Sequence, residues 1–291
     1  MKKIIDIHTN VLLGEPNKDN PRVQELFKRI RSNSVKQINL IKKKTINVNK
    51  KANLFSLKAS MKQNNISNAV CFSYQWKKHS DCLKANNYLI ENLNKDIFSN
   101  LYCLVVVQPK SKNAKDDLTN YLNNKKVLGL KIKPSWCGIS LSNIKYLGPI
   151  CEELILRKKI LLTHITQSFH PNKGDNIYEL SLLLKNFPKL KVVAAHMGGG
   201  ISFYENYQPL QKIFKNLYID ISLPSQIDWL PSFLEKLNHK KFLFASDFPY
   251  YSQKDLLLKI KKLRIPKNKI NDLLFNNGKN LINSCSKINI L

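Results

Sequence analysis

The segment Lys191-Val192-Val193-Ala194-Ala195-His196 decides the fold, because it is an almost continuous apolar run of strand length that ends in a histidine. A strand that is apolar along its length is buried on both faces, as in a parallel sheet covered by helices. Seven further β-rich runs occur along the chain: Ile4–His8, Asn68–Tyr74, Leu101–Val107, Val127–Lys133, Ile160–His164, Leu217–Ile221 and Lys241–Ser246. The sequence therefore predicts eight buried strands.

The stretches between these runs suit helices. The segment Leu54–Asn64 places Leu54, Leu57 and Met61 on one helical face. Similar apolar spacing recurs at Tyr88–Leu93, Ile150–Leu156, Tyr178–Leu184, Leu230–Leu237 and Leu256–Leu263. Eight strand–helix units predict an α/β protein with the (β/α)8 TIM-barrel fold, as a single domain over residues 1–291. The rival, a doubly wound open sheet, usually has a glycine-rich loop after its first strand, and none is present here.

The first strand–helix unit is longer than the others. We interpret residues 11–53 as a basic helical insertion over the barrel mouth, with helices expected at Val23–Ile30 and Val35–Lys42. No acidic residue occurs from Leu26 to Ser80. This stretch is either a solvated basic face, which we favour, or a surface for an anionic partner.

The composition limits the classes of function. The net charge is +28, with 48 Lys and Arg residues against 20 Asp and Glu. However, 43 of the basic residues are lysines, whereas base recognition and bidentate phosphate contacts favour arginine. The abundance of Lys, Asn and Ile suits an A/T-rich genome, so we do not expect nucleic acid as a partner.

The sequence also bears on cellular location and assembly. No apolar run is long enough to span a membrane, and the apolar part of the N-terminus is too short for a signal peptide. We therefore expect a cytoplasmic protein. Its six widely spaced cysteines are expected to be reduced and structural. The oligomeric state stays open, with a homodimer among the alternatives.

Polar residues end several of the predicted strands. His8, His164, His196 and Asp247 all lie at such ends, and chemistry in a TIM barrel collects at the carboxyl ends of its strands. One histidine in this position is usually structural, but three with an aspartate suggest a common site. Imidazole nitrogens and a carboxylate that converge suit Zn²⁺ or a similar divalent ion. We therefore expect these four side chains at one barrel end.

Two lysines end the fourth strand. Lys131 and Lys133 have the same parity, so both face the mouth if Leu130 and Ile132 face the helices. They are either two of many scattered lysines, or an anion-binding pair, or they include a lysine with a lowered pKa. Aromatic side chains just beyond the strand ends could wall a ligand: Trp136, Phe169, Phe248 and Tyr250. The predicted substrate-binding residues are Lys131, Lys133 and Trp136, and the predicted ligand is a small-molecule carboxylate.

Five strand motifs in order resemble the amidohydrolase-related family. They are Asp6-Ile7-His8, Gly129-Leu130-Lys131, Leu162-Thr163-His164, the stretch 192–199 and the stretch 244–249. Asn277 resembles the family's C-terminal Asn motif, and the resemblance extends from Ile4 to about Ile282. This branch of the amidohydrolase superfamily includes decarboxylases of aromatic acids and of aminocarboxymuconate semialdehyde, and a dicarboxylate lactonase. The resemblance implies a TIM barrel of the metal-dependent hydrolase type.

The resemblance also implies roles for the site residues. His8, His164 and Asp247 would bind one divalent metal, zinc in our prediction. His196 would transfer protons, and Asp247 could instead accept a proton from metal-bound water. The family has His-x-His on the first strand, but here Asn10 replaces the second histidine. Asn10 would be a weak ligand, so we expect weak metal binding. Lys133 also stands where the family often has histidine.

The sequence leaves three functions in order of preference. The first is a hydrolase of an amide or lactone, or a non-oxidative decarboxylase, acting on a small carboxylate at the barrel mouth. The second is a catalytically impaired barrel that still binds a ligand, which the Asn10 replacement suggests. The third is a metal-dependent nuclease, which the charge favours. It ranks last because the fourth strand offers lysines and no acidic residue to bridge two metals.

Overall fold

The computed structural model describes residues 3–12, 50–166, 174–199, 215–286 and 290. Its eight strands pair in parallel and in sequence order. They are β1 (Ile5–Asn10), β2 (Asn68–Phe72), β3 (Leu101–Val105), β4 (Val127–Ile132), β5 (Ile160–Thr163), β6 (Lys191–Ala194), β7 (Leu217–Asp220) and β8 (Phe242–Leu243). The Ile7 nitrogen donates to the Phe244 oxygen at 3.0 Å, which joins β1 to the end of β8. The barrel is nearly closed, and the predicted TIM-barrel fold is confirmed.

Helices fill the connections between the strands. They are α1 (Leu54–Gln63), α2 (His79–Leu93), α3 (Ala114–Leu122), α4 (Pro134–Cys137), α5 (Ile144–Leu156), α6 (Ile177–Asn186), α7 (Leu230–Lys236), α8 (Gln253–Lys262), α9 (Lys267–Asn271) and α10 (Asn277–Asn283). Short 3-10 turns lie at Asp96–Phe98, Pro224–Trp229 and His239–Lys241, and a wide π turn, Asp272–Asn276, joins α9 to α10. None of the helices in the described part of the chain is long and apolar enough to cross a membrane.

Side-chain burial explains why these helices form where they do. Leu54, Leu57 and Met61 are the buried face of α1, as predicted, and the Asn53 side chain caps this helix. Helix α3 was not predicted, although it buries Leu118 and Leu122 one helical turn apart. All six cysteines are free and buried, where a thiol packs as a small apolar side chain.

Apolar side chains fill the barrel interior, and helix α10 packs against them at the amino-terminal ends of the strands. One buried apolar cluster contains residues of seven strands, such as Ile7 of β1 and Leu162 of β5, together with Leu281 and Ile282 of α10. The Asn277 amide also donates to the Phe242 oxygen at 2.8 Å, which fixes α10 to β8. The polar residues lie at the other end, after the carboxyl-terminal ends of the strands.

Some predictions fall outside the described residues. Of the insertion predicted at residues 11–53, the structure describes only 11, 12 and 50–53. Both helices predicted within the insertion, and Phe169, lie outside the described ranges. The insertion therefore stays a prediction.

Candidate active site

Eight side chains singled out from the sequence line one pocket of about 530 Å³. They are His8, Asn10, Lys131, Lys133, Trp136, His164, His196 and Asp247. The expected convergence of the three histidines and the aspartate is thus confirmed. Five further residues line the pocket: Phe72, Ser73, Tyr74, Gln75 and Tyr250. Of these, only Tyr250 had been considered from the sequence.

The backbone turns sharply where it presents His196 and Asp247. Strand β6 ends at Ala194, two residues earlier than predicted, because His196 adopts a left-handed conformation with φ of 58°. Its backbone nitrogen donates to Asp220 Oδ1 at 2.8 Å. Asp247 is also left-handed, with φ of 57°, and its nitrogen donates to the His8 oxygen at 2.8 Å. These hydrogen bonds hold conformations that are unfavourable for residues other than glycine.

A buried aspartate that sequence reasoning missed organises the histidines. Asp220 ends β7 and accepts from His8 Nδ1 at 2.7 Å and from the Ser222 hydroxyl at 2.6 Å. Burial favours a raised pKa for Asp220, but the charge and hydrogen bond of His8 outweigh it and hold the pKa well below its usual range. Asp220 is therefore ionised. An aspartate at the end of an apolar strand was the available signal, but the predicted strand continued to Ile221.

The hydrogen bonds assign the tautomers of two rings. Because Asp220 is ionised, the Ser222 hydroxyl gives its one proton to Asp220 and accepts from His196 Nδ1, 3.0 Å away. Burial, opposed by Asp247, lowers the pKa of His196 to about 4, so this ring is neutral near pH 7. His196 Nε2 is then an acceptor, and His164 Nδ1 donates to it at 3.0 Å. This leaves the lone pair of His164 on Nε2.

The histidine and carboxylate side chains of this pocket are suitable ligands for a divalent metal ion. His8 Nδ1 is held by Asp220, while His8 Nε2 lies 3.1 Å from Asp247 Oδ1. Metal-binding histidines commonly have one nitrogen fixed by a carboxylate in this way. Potential ligand atoms of His8, His196 and Asp247 lie within 4.8 Å of one another. This cluster contains His196 where the predicted ligand set had His164, so the choice between these two histidines stays a prediction.

Neighbouring charges strongly shift the pKa of His8. Burial alone would lower the pKa of His8, but Asp220 and Asp247 outweigh it and raise the pKa to about 9. Burial likewise favours a raised pKa for Asp247, but His8 holds it below its usual value. In the chain without metal, His8 is thus a cation between two carboxylates. A bound metal ion would replace the proton on Nε2.

Asn10 supports Asp247 through its amide nitrogen. Its Nδ2 donates to Asp247 Oδ1 at 2.8 Å and to the Phe248 oxygen at 3.0 Å. Both partners are acceptors, so the nitrogen must face them, and an amide nitrogen is not a metal ligand. In this arrangement Asn10 orients a carboxylate, and its predicted weak ligation would require these bonds to break.

Two buried lysines give the pocket a cationic wall. Burial, opposed by Asp220 and Asp247, lowers the pKa of Lys131 to about 8. Its Nζ lies 5.1 Å from the centre of the Phe72 ring, and Lys133 Nζ lies 4.1 Å from the centre of a Trp136 ring. The pocket therefore combines a cationic wall and aromatic surfaces with a candidate metal site.

Comparisons with known proteins agree with this geometry. The family model described as Amidohydrolase matches residues 51–272. No curated protein matches the sequence significantly.

Solved structures show the same fold. A 5-carboxyvanillate decarboxylase from Sphingomonas paucimobilis has a TM-score of 0.72 at 14% identity, covering 97% of this chain and 99% of that one. A dihydroxybenzoic acid decarboxylase from Polaromonas sp. JS666, with bound manganese and 2-nitroresorcinol, has a TM-score of 0.74 at 12% identity, covering 97% of both chains. A 2,6-dihydroxybenzoate decarboxylase from Rhizobium has a TM-score of 0.73 at 11% identity, covering 97% and 99%.

Proposed function

This chain belongs to the amidohydrolase family, and from that membership we propose that it removes carbon dioxide from a small carboxylic acid. The observation that carries the proposal is the presence of buried Lys131 and Lys133 in the same pocket as His8 and Asp247. Two cations in a partly dry pocket repel each other, and a bound carboxylate converts this repulsion into attraction. Similarly folded proteins named as decarboxylases of 5-carboxyvanillate and of 2,6-dihydroxybenzoate support the same reaction.

We assign the proton transfer to His196. In decarboxylation the carbon–carbon bond breaks, its electron pair stays on the substrate carbon, carbon dioxide leaves and that carbon gains a proton. The lone pair on Nε2 of neutral His196 accepts from His164 Nδ1, so His196 would take up and deliver a proton at Nε2 once this hydrogen bond is broken. Its Nδ1 contacts Ser222, which donates to Asp220. The Asp220 charge would stabilise the ring while it carries the extra proton.

A metal ion would complete this site. We propose His8, His164 and Asp247 as its ligands, with Asp220 fixing His8. When bound, a divalent ion would act as a Lewis acid on a substrate oxygen. Zinc is our prediction from imidazole and carboxylate ligands, and manganese is the alternative that the Polaromonas protein suggests. Metal analysis of protein purified without added metal tests both.

Hydrolysis of an amide or lactone is the second candidate. The observation in its favour is the ionised Asp247 carboxylate, which lies beside His8 and could accept a proton from an attacking water. Decarboxylation is preferred because the two lysines would hold the carboxylate, the group that this reaction removes, and because the similarly folded proteins named above are decarboxylases. Product analysis separates the two, since only decarboxylation releases carbon dioxide.

The test compares small aromatic acids with their neutral amides, by thermal shift and by carbon dioxide release. We expect stabilisation by benzoates but not by benzamides, and loss of this difference in Lys131→Met and Lys133→Met. The matched control is Lys145→Met, since Lys145 Nζ also lies near an aromatic ring, 5.5 Å from the centre of Tyr146, but outside the pocket.

Two outcomes of these assays would contradict the proposed decarboxylation. Equal stabilisation by acids and amides would rule out the lysines as the anion site. Carboxylate binding without product from any acid would favour the impaired, ligand-binding barrel.

A further inference from the structure

Three residues that line the pocket carry buried polar atoms without a hydrogen-bond partner. The atoms are Ser73 Oγ, Gln75 Oε1 and Trp136 Nε1. Across the described part of the chain six buried side-chain atoms are unpaired, so half of them belong to this one pocket. Because buried polar groups in proteins are nearly always paired, this concentration indicates groups that are kept for a ligand.

The Gln75 amide is fixed with its oxygen as the unpaired atom. Its Nε2 donates to the Val107 oxygen. Turning the amide over would place two oxygens against each other, so Gln75 Oε1 can only accept a proton from a ligand. Ser73 lies two residues earlier on the segment that follows β2, and its hydroxyl can rotate to donate or accept. Both side chains are almost completely buried, with 3% of each exposed.

We propose that Ser73 and Gln75 form a subsite that binds a hydroxyl group of the substrate. A hydroxyl can donate to Gln75 Oε1 and exchange a hydrogen bond with Ser73, whereas an ether or a carboxylate oxygen would face Gln75 with no proton to give. The inference rests on the proposed function, since it takes the substrate to be a small carboxylic acid held at the lysines.

The hydroxyl subsite adjoins the proposed carboxylate site. Ser73 and Gln75 line the same pocket as Lys131 and Lys133. One small acid with a ring hydroxyl could therefore reach both. An analogue without the hydroxyl would leave Gln75 Oε1 unpaired, and sites built to hydrogen-bond a substrate hydroxyl discriminate against such analogues.

The experiment titrates the protein with benzoate, the three hydroxybenzoates and the matched methoxybenzoates by calorimetry. Metal is removed by chelation, so that a bond between hydroxyl and metal cannot produce the preference. We expect at least one hydroxybenzoate to bind about tenfold more tightly than benzoate, the scale of one buried hydrogen bond. The corresponding methoxybenzoate should show no gain.

Variants assign this preference to the subsite. Gln75→Met should remove the hydroxyl preference, because it withdraws the oxygen that accepts from the substrate hydroxyl. The preference is measured as the ratio of hydroxybenzoate to benzoate affinity in the same variant. The matched control is Gln226→Met, because Gln226 Oε1 is also buried and unpaired but does not line the pocket. This control should keep the full preference. Ser73→Ala should reduce the preference and serves as the second variant if Gln75→Met does not fold.

Three results would overturn the inference. They are a hydroxyl preference that survives both Gln75→Met and Ser73→Ala, a methoxybenzoate that binds as tightly as its hydroxy counterpart, and no preference in the unaltered protein. Benzoate binding that depends on Lys131 but shows no hydroxyl preference removes only the subsite. Failure of every benzoate to bind removes the proposed function as well.

Discussion

One buried carboxylate, Asp220, holds two histidines of the pocket in place. It accepts from His8 Nδ1 at 2.7 Å and from the His196 backbone nitrogen at 2.8 Å. Asp220→Asn keeps the size of this side chain but removes its charge and one acceptor oxygen. We expect zinc affinity to fall about 10–100-fold, as for other carboxylates behind metal-binding histidines. Competition with a chelator measures this affinity.

A surface pair supplies the control for Asp220→Asn. Asp117 pairs with His79 at 2.8 Å, outside the pocket, so Asp117→Asn should leave zinc affinity unchanged. An unchanged affinity in Asp220→Asn, or an equal loss in both variants, would contradict the role of Asp220.

Asn10 stands where the resembling family has its second histidine. Its amide nitrogen lies 2.8 Å from Asp247 Oδ1, so a side chain at this position can reach the candidate metal site. We expect Asn10→His to raise zinc affinity about tenfold or more, since even changes behind the ligands shift affinity by this amount. Asn10→Ala is the control, because it loses the same two hydrogen bonds without gaining an imidazole. Equal zinc affinity in Asn10→His and the unaltered protein would show that this position is not a ligand position.

The lowered pKa of Lys131 predicts how carboxylate binding depends on pH. Burial, opposed by Asp220 and Asp247, lowers this pKa to about 8, and only the charged lysine attracts a carboxylate. Benzoate affinity in metal-free protein should therefore fall as the pH rises above 8, by up to about tenfold per unit.

A second group titrates in the same pH range. The pKa of His8, raised by Asp220 and Asp247 against the effect of burial, is about 9. Comparison with Lys131→Met isolates the lysine, because this variant should lose affinity at pH 7 and show a shallower fall above pH 8. Identical pH profiles for the two proteins would exclude Lys131 as the titrating group.

Among the elements, β4 and β5 approach each other too closely for a side chain at Gly129. A Cβ atom there would lie 1.9 Å from the Ile160 oxygen, and Gly129 has φ of +156°. We expect Gly129→Ala to lower the free energy of unfolding by at least about 2 kcal/mol, because backbone must move to admit the methyl group. Urea unfolding measures the change.

A helical glycine provides the comparison. At Gly148 in α5 the nearest contact of an added Cβ would be the Ile144 side chain at 3.2 Å. Gly148→Ala should change stability by less than about 1 kcal/mol, because alanine favours the helix. Equal losses in the two variants would mean that the β4–β5 contact is not the cause.

The elements also show how much the sequence could predict. Apolar runs located all eight strands, because parallel strands covered by helices are buried on both faces. The same strand ends identified most of the residues that line the pocket, but not Phe72, Ser73, Tyr74 and Gln75. Helix α3 was missed although Ala114, Leu118 and Leu122 recur at helical spacing, because the helix is short and carries only three buried side chains. The end of β6 was misplaced because a hydrogen bond to Asp220 turns His196 out of the strand.

Other site residues depended on contacts that no local pattern reveals. Asp220 is 212 residues from His8 in sequence, yet the two side chains are hydrogen-bonded. Gln75 has an unpaired oxygen only because its nitrogen is held by Val107, on the segment after β3. Such residues can be identified as functional candidates only from the folded barrel, in which the strand ends lie close together.

For the whole molecule, the candidate site brings together residues that are far apart along the chain. His8 comes from β1, His164 from the end of β5 and Asp247 from the segment after β8. A metal ion that binds all three would connect elements that separate on unfolding, so it should stabilise the folded barrel. At a hundredfold excess over the dissociation constant this stabilisation is about 2.7 kcal/mol. For a domain of this size it corresponds to a rise in Tm of roughly 4 °C.

The choice of metal and variant makes this last prediction specific. Zinc or manganese should raise Tm in proportion to the logarithm of the free metal concentration, whereas magnesium should have less effect because it prefers oxygen ligands. His8→Gln should lose the response, since it removes an imidazole ligand and keeps a similar volume. The control is His239→Gln, whose histidine pairs with Asp272 at 3.1 Å away from the pocket. A rise in Tm that survives His8→Gln would place the metal elsewhere on the protein, and direct zinc binding to the pocket without any rise would show that the ion does not connect these elements.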